Sequence, residues 1–244
     1  VQSDASAQYV LQQLSGNNYA GFSSAMVQGA QLFMNNFAGQ AGGGGSAPAG
    51  SRVALAELCD VACDGLSAAK WGAWGGALGG LGTIGANQPV GGVTYNAGGF
   101  AAGLDRALTD TLRLGVTAGY TKGSQWVSGF SGQGTTDTFN VGLYGNYARG
   151  PAYLDALAGY AYSWNQMWRQ ILIPGLQPRT ALGQTGANQW YGQLEAGWRF
   201  DLGTAANAFV TPFARLQGYT GTQNGFTETG AQSLNLTVAQ QTTN

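Results

Sequence analysis

Histidine is missing altogether, and charge is scarce: Lys, Arg, Asp and Glu make up 9% of the 244 residues, where soluble domains carry about 25%. The first absence excludes His-based metal centres and every His-dependent catalytic triad. The second, with a net charge of -1 and no basic run, argues against a nucleic-acid partner. Cysteine is limited to Cys59 and Cys63. No segment reaches the ~18 uncharged apolar residues of a membrane-crossing helix. No signal peptide opens the chain at Val1, so any export signal has been removed or lies outside it. Even so, the chain is not apolar, with a mean hydropathy of -0.09.

What is present narrows the class. Glycine occurs 42 times, more than twice the usual ~7%, beside 7 Trp, 11 Tyr and 10 Phe. A disordered segment would lack the aromatics, and collagen would need a strict three-residue period. A soluble β-protein normally spends more charge on its surface. A transmembrane β-barrel spends little, because half of each strand faces lipid.

Residues 1–41 read as a helix with Asp4 at its N-cap. Val10, Leu11 and Leu14 come first, followed by Phe22, Met26, Ala30, Phe33 and Phe37 at helical spacing. Ser15-Gly16-Asn17-Asn18 interrupts the run. The other faces carry Gln and Asn, where a solvated helix would show Lys and Glu. One reading is an ordinary packed helix; the other is a helix inside a narrow polar tunnel, whose amides bond the wall without burying charge. Residues 42–69 form a second segment: a Gly-rich flexible linker over 42–50, then a short helical stretch over 53–66 that holds both cysteines.

From residue 70 to 244 the period becomes two. Phe139, Val141, Leu143 and Tyr147 alternate with Asn140, Gly142, Tyr144 and Asn146, and similar alternation runs through 112–121, 153–164 and 190–200. The polar face holds Arg113, Asp155, Glu195, Arg199 and Arg215, which must meet water or one another. Apolar outside and polar inside is the pattern of an up-and-down antiparallel transmembrane β-barrel, an all-β membrane fold. Trp71, Trp74, Tyr120, Tyr147, Trp164, Trp190 and Phe200 sit near strand ends, as an interfacial girdle requires. Connections alternate short (105–110, 149–151, 201–207) and long (79–94, 122–136, 166–187, 219–232), as in barrels with short periplasmic turns and long outer loops. Seven strands are clear, near 70–79, 93–104, 111–122, 136–148, 152–165, 188–200 and 208–219, and an eighth begins at about Ser233.

Several short motifs then agree in order and spacing with one family. They are Leu14-Ser15-Gly16, Trp71-Gly72, Gly98-Gly99-Phe100, Gly103-Leu104-Asp105, Leu112-Arg113-Leu114-Gly115 and Val141-Gly142-Leu143-Tyr144-Gly145. Ala161-Tyr162-Ser163-Trp164, Glu195-Ala196-Gly197-Trp198, Pro212-Phe213-Ala214 and Gly225-Phe226-Thr227-Glu228 follow. The chain thereby resembles the translocator domain of monomeric autotransporters of type V secretion. The resemblance implies a twelve-stranded barrel in the outer membrane of a Gram-negative bacterium, with an N-terminal pore helix and a passenger in cis upstream. It also implies outer-membrane lipid and the barrel-assembly machinery as partners. The seven to eight strands counted, and the lack of the family's terminal aromatic strand, make the chain look like a domain short of about four C-terminal strands.

Some members of that family cut themselves beside an Asn-Asn pair in the pore helix. Asn35 and Asn36 are such a pair, but Phe33-Met34 and Phe37-Ala38 depart from the self-cleaving motif, so lumen-filling contacts are the weightier reading. Cys59 and Cys63 read first as a local disulfide in an oxidising periplasm, with a packed pair of thiols as the alternative; a closed zinc site lacks ligands. Glu195 and Arg199 lie ~13 Å apart along one strand face, so each needs another partner. No nucleophile–base pair, cofactor motif or phosphate loop stands out, and the expectation is a conduit without catalysis or cofactor. The other open reading is a small stand-alone barrel with adhesive or binding loops, its eighth strand closing on the first.

Overall fold

A computed structural model of the protein describes residues 10–11, 13–40, 52–54, 71–85, 92–128, 131–202 and 208–244. Val10, Leu11, Gln13 and Leu14 are helical. At Gly16 the chain turns with φ +68°, a conformation that a side chain would strain. A 3-10 turn at Asn17–Tyr19 then leads into α1, Ala20–Gln40.

Strands follow in chain order: β1 Arg52–Ala54, β2 Trp71–Ile84, β3 Val93–Ala107, β4 Leu112–Val127, β5 Gly132–Arg149, β6 Ala152–Ile171 and β7 Arg179–Trp198. The short β8 Phe200–Asp201 and β9 Phe209–Val210 precede β10 Phe213–Gln223. Last come β11 Phe226–Thr227, β12 Thr237–Val238 and β13 Gln241–Thr243. The main sheet is antiparallel with order β1-β2-β3-β4-β5-β6-β7-β10-β13, which is a simple up-and-down meander. Its two edges, β1 and β13, are not paired with each other, so neither closure of the barrel nor an eighth strand meeting the first is seen among the described residues. The expected eighth strand at Ser233 is instead a 3-10 turn, Gln232–Leu234. After it β12 pairs with β11 and β13 with β10.

Burial follows the alternation. In β6 every odd residue from Tyr153 to Ile171 is buried. The outer face carries two aromatic bands. Phe100, Tyr120, Phe139 and Tyr162 stand directly opposite one another across β3 to β6, and Trp164 and Trp190 lie close by. At the turn end Trp71, Tyr147, Trp198, Phe200 and Phe213 are exposed. Phe139 and Tyr147 are separated by ~26 Å of strand, which a tilt of about 40° reduces to ~20 Å, close to the ~25 Å apolar band of a membrane barrel. Between the bands lie Leu114, Val116, Val141, Leu143 and Leu194, all exposed. Trp74 departs from the girdle expected of it: it is 4% exposed and faces inward.

The strands run well beyond the upper band, which shortens the long connections. β7 begins at Arg179 and not near 188, and β6 continues to Ile171, leaving 172–178 in place of 166–187. The connection expected over 122–136 shrinks likewise, to 128–131. Past the membrane both faces of a hairpin can be polar, so Thr, Gln and Gly hide the two-residue period that apolar residues mark lower down. The helical stretch expected over 53–66 is a strand where it is described, at Arg52–Ala54. The remainder, with Cys59 and Cys63, lies outside the described residues, as does Asp4.

Candidate functional site: the helix and its seat

Helix α1 lies on the concave face of the sheet and touches β2 to β7 and β10, so the sheet curls around it. Its stripe of Phe22, Met26, Ala30, Phe33 and Phe37 is 0–3% exposed. Met34 adds to this stripe, and the middle of it packs on Trp74, Leu78, Ala101, Leu157 and Tyr191. Phe33 meets the Tyr191 ring edge-on at 5.7 Å, and Phe37 stands 5.1 Å from Tyr144. The wall comes close at Gly119, where a Cβ would lie 2.8 Å from the Phe33 ring and 2.8 Å from the Phe100 carbonyl. The middle of the inner wall is therefore mixed: these apolar side chains stand among the buried polar Thr117, Asn140, Gln189 and Gln193, on the mostly polar face that the alternation predicts. Leu78, Leu157 and the ring faces of Trp74 and Tyr191 occupy positions on the inward, mostly polar face of the alternation.

Buried charges concentrate above and below this level. Towards the turn end, Arg113, Asn146, Asp155, Glu195 and Arg215 are successive cross-strand partners over β4, β5, β6, β7 and β10. Four of the five expected lumen charges thus fall in one row, ~19 Å across at strand spacing. Arg113 donates to Asp105 at 2.6 Å, whose other oxygen accepts from Tyr144 at 2.7 Å. Trp74 donates to the same Tyr144 hydroxyl at 2.8 Å. Asn146 donates to Asp155 at 2.7 Å. Tyr153 and Arg215 donate to the two oxygens of Glu195 at 2.8 and 2.5 Å. Such charge-assisted bonds let carboxylates stay buried.

The helix joins this row through Asn35, whose side-chain oxygen accepts from Arg215 at 3.3 Å and from Gln217 at 3.4 Å. Asn36 is half-buried beside it. Arg199 stands apart from the row. It lies beyond the end of β7, pairs with Asp201 at 3.0 Å and rests 4.1 Å from the Phe209 ring centre. Glu195 and Arg199 thus each have a separate partner, as their spacing along the strand requires.

At the opposite end, above the upper aromatic band, sits a cluster that the sequence reading missed. Arg169 and Glu228 are each 1% exposed and form a bidentate pair at 2.7 and 2.6 Å. Arg169 also donates to the Gln13 carbonyl at 2.6 Å and the Leu234 carbonyl at 3.1 Å. Glu228 also accepts from the Tyr19 hydroxyl at 2.5 Å and the Leu236 N–H at 2.7 Å. The start of the helical segment, the tall β6 hairpin and the chain over 228–236 are fastened at one point. Gln125 caps the first turn of α1 from β4: its amide accepts from the Phe22 N–H at 3.2 Å and donates to the Gly21 carbonyl at 2.8 Å. One signal for the cluster was available, since a Glu in the Gly225-Phe226-Thr227-Glu228 motif and a lone Arg mid-strand both need partners.

An antiparallel up-and-down meander with an apolar outside, two aromatic bands and a helix along its inner face is the architecture of a membrane β-barrel with an internal helix. The autotransporter β-domain family matches residues 73–244, and the chain belongs to that family, the translocators of type V secretion. No curated protein matches it. Among solved structures it is similar to the translocator domain of the autotransporter NalP from Neisseria meningitidis, at 16% identity and a TM-score of 0.64. The match covers 93% of this chain and 67% of that one, and at this identity it speaks for the fold alone.

Proposed function

We propose that this domain anchors a passenger in the outer membrane of a Gram-negative bacterium and exports it through or with its barrel, after which α1 fills the lumen. The observation that carries the reading is the direction of the helix. Tyr19, at its start, meets Phe226 and Glu228 at the end with the tall hairpins. Phe37, near its finish, meets Tyr144 close to the short turns, the end where β2 begins. The described start of the helical segment, Gln13 to Tyr19, therefore lies at the long-hairpin end, which supports a passenger joined upstream and held on that side. Assembly by the barrel-assembly machinery and contact with outer-membrane lipid belong to the same reading.

Deleting residues 1–41 should raise single-channel conductance in planar bilayers several-fold, because an α-helix of ~10–12 Å diameter would be withdrawn from the pore. Unchanged conductance would sink the plug assignment. In this reading Asp155, Glu195, Arg113 and Arg215 hold the helix, and Asn35 and Asn36 serve as contacts, not as a cleavage point. The protein extracted from membranes should then give an intact mass with the 35–36 bond unbroken; a fragment beginning at Asn36 would make the pair a self-cleavage site.

A further inference from the structure

The outer face is not evenly rough. Between the aromatic bands two adjoining apolar grooves of about 820 and 670 Å³ share Leu104, Val116, Leu143 and Ala158. Their depth comes from side-chain size: Ala102 and Ala118 stand opposite each other, as do Gly145 and Ala156, while Leu104, Leu143 and Leu114 rise beside them. At the turn end the second groove is bounded by Arg106 and Trp71.

Arg106 is exposed on this lipid-side face, with its guanidinium 5.5 Å from the Trp71 ring centre. Among the described residues it has no carboxylate partner. The outward cation beyond the opposite band differs, since Lys122 has Asp137 at 3.1 Å. An unpaired arginine at the rim of an apolar band is costly unless it reaches a polar layer. Arg106 and Trp71 line the end of the groove, so a single molecule that carries both an anion and a hydrocarbon chain can answer the charge and fill the groove together.

We propose that this is a binding site for an anionic phospholipid: Arg106 and Trp71 take the phosphate and headgroup, and an acyl chain lies along the groove past Leu114 and Leu143. The inference rests on the outer-membrane reading above and goes beyond it by naming the lipid class and the residues. A free phosphate fits the arginine but leaves the groove unused, and a second copy of the chain fits the groove but leaves the charge unanswered.

The test uses the whole protein purified in detergent, titrated with phosphatidylglycerol or phosphatidylcholine and read by native mass spectrometry. Phosphatidylglycerol should be retained preferentially, and R106Q should retain it roughly ten-fold less well, the scale of one lost hydrogen-bonded charge contact. R149Q, which removes another exposed turn-end cation away from the groove, should behave as wild type, and glycerophosphoglycerol without chains should not compete. Equal retention of both lipids, an R149Q loss as large as that of R106Q, competition by the chainless headgroup, or a lipid-free dimer would each overturn the site. Flotation with phosphatidylglycerol-containing vesicles separates the two levels: a protein that fails to float refutes the membrane reading itself, while one that floats without lipid preference refutes only this site.

Discussion

Replacing Arg169 with Met should cost about 3–5 kcal/mol, the range for leaving a buried charge without its partner. Glu228 would keep its place under the tall hairpins with only the Tyr19 hydroxyl and the Leu236 N–H to answer it. The Gln13 and Leu234 carbonyls would lose their donor as well. The double variant R169M/E228L should recover part of that loss, because no bare charge remains, although the abandoned backbone groups keep it below wild type. Urea unfolding of the reconstituted protein, followed by tryptophan fluorescence, gives the four corners of the cycle. If the two single losses simply add, within about 0.5 kcal/mol, Arg169 and Glu228 do not act as a pair.

The same cluster fixes a pH dependence. Burial pushes the Glu228 carboxyl up, but hydrogen bonds from Arg169, Tyr19 and the Leu236 N–H outweigh it and hold the group below its ordinary range. A carboxyl depressed in the folded state contributes stability above its unfolded value, about 4.3, and loses it as pH falls through the folded value. The stability gap between wild type and E228Q should therefore be flat from pH 8 to about 5 and narrow only below about 4. A gap that closes between pH 7 and 5 would mean that Glu228 is not held ionised by its partners.

How much of this could be read in advance differs element by element. The strands between the aromatic bands were legible because lipid on one side and helix on the other impose opposite chemistry on alternate residues. Above the bands that contrast vanishes, and Arg179 to Ala187 looked like loop while it is strand. Arg113, Asp155, Glu195 and Arg215 were legible as inward charges because a charge in mid-strand has nowhere else to go. Their meeting in one row was not, since it depends on a register that only pairing across four hairpins sets. Arg199 obeyed the same parity, yet its strand ends one residue earlier, at Trp198, and its side chain turns to Asp201. Trp74 sat near a strand end like a girdle residue; a one-residue difference in parity sends it to the Tyr144 hydroxyl instead.

The apolar stripe of α1 was visible as spacing, but what it packs on was not, and there the second large effect is expected. Phe33→Ala and Phe37→Ala should each weaken seating of the helix by about 3–5 kcal/mol, the usual loss for a fully buried phenyl ring. As neighbours on one face they need not add. Gln31→Ala, on the exposed side, should stay within about 0.5 kcal/mol of wild type. The helix carries no charge along its 21 residues, so this aromatic contact, and not an ion pair, has to hold its centre. The polar row and the Arg169–Glu228 cluster fix only the two ends. Limited proteolysis of the protein in lipid vesicles reads the seating directly: cutting within residues 20–40 should accelerate in both Phe variants while the strands stay protected, and conductance should rise in parallel. Rapid cutting without a conductance change would mean that the helix rests against the wall without filling the path through it.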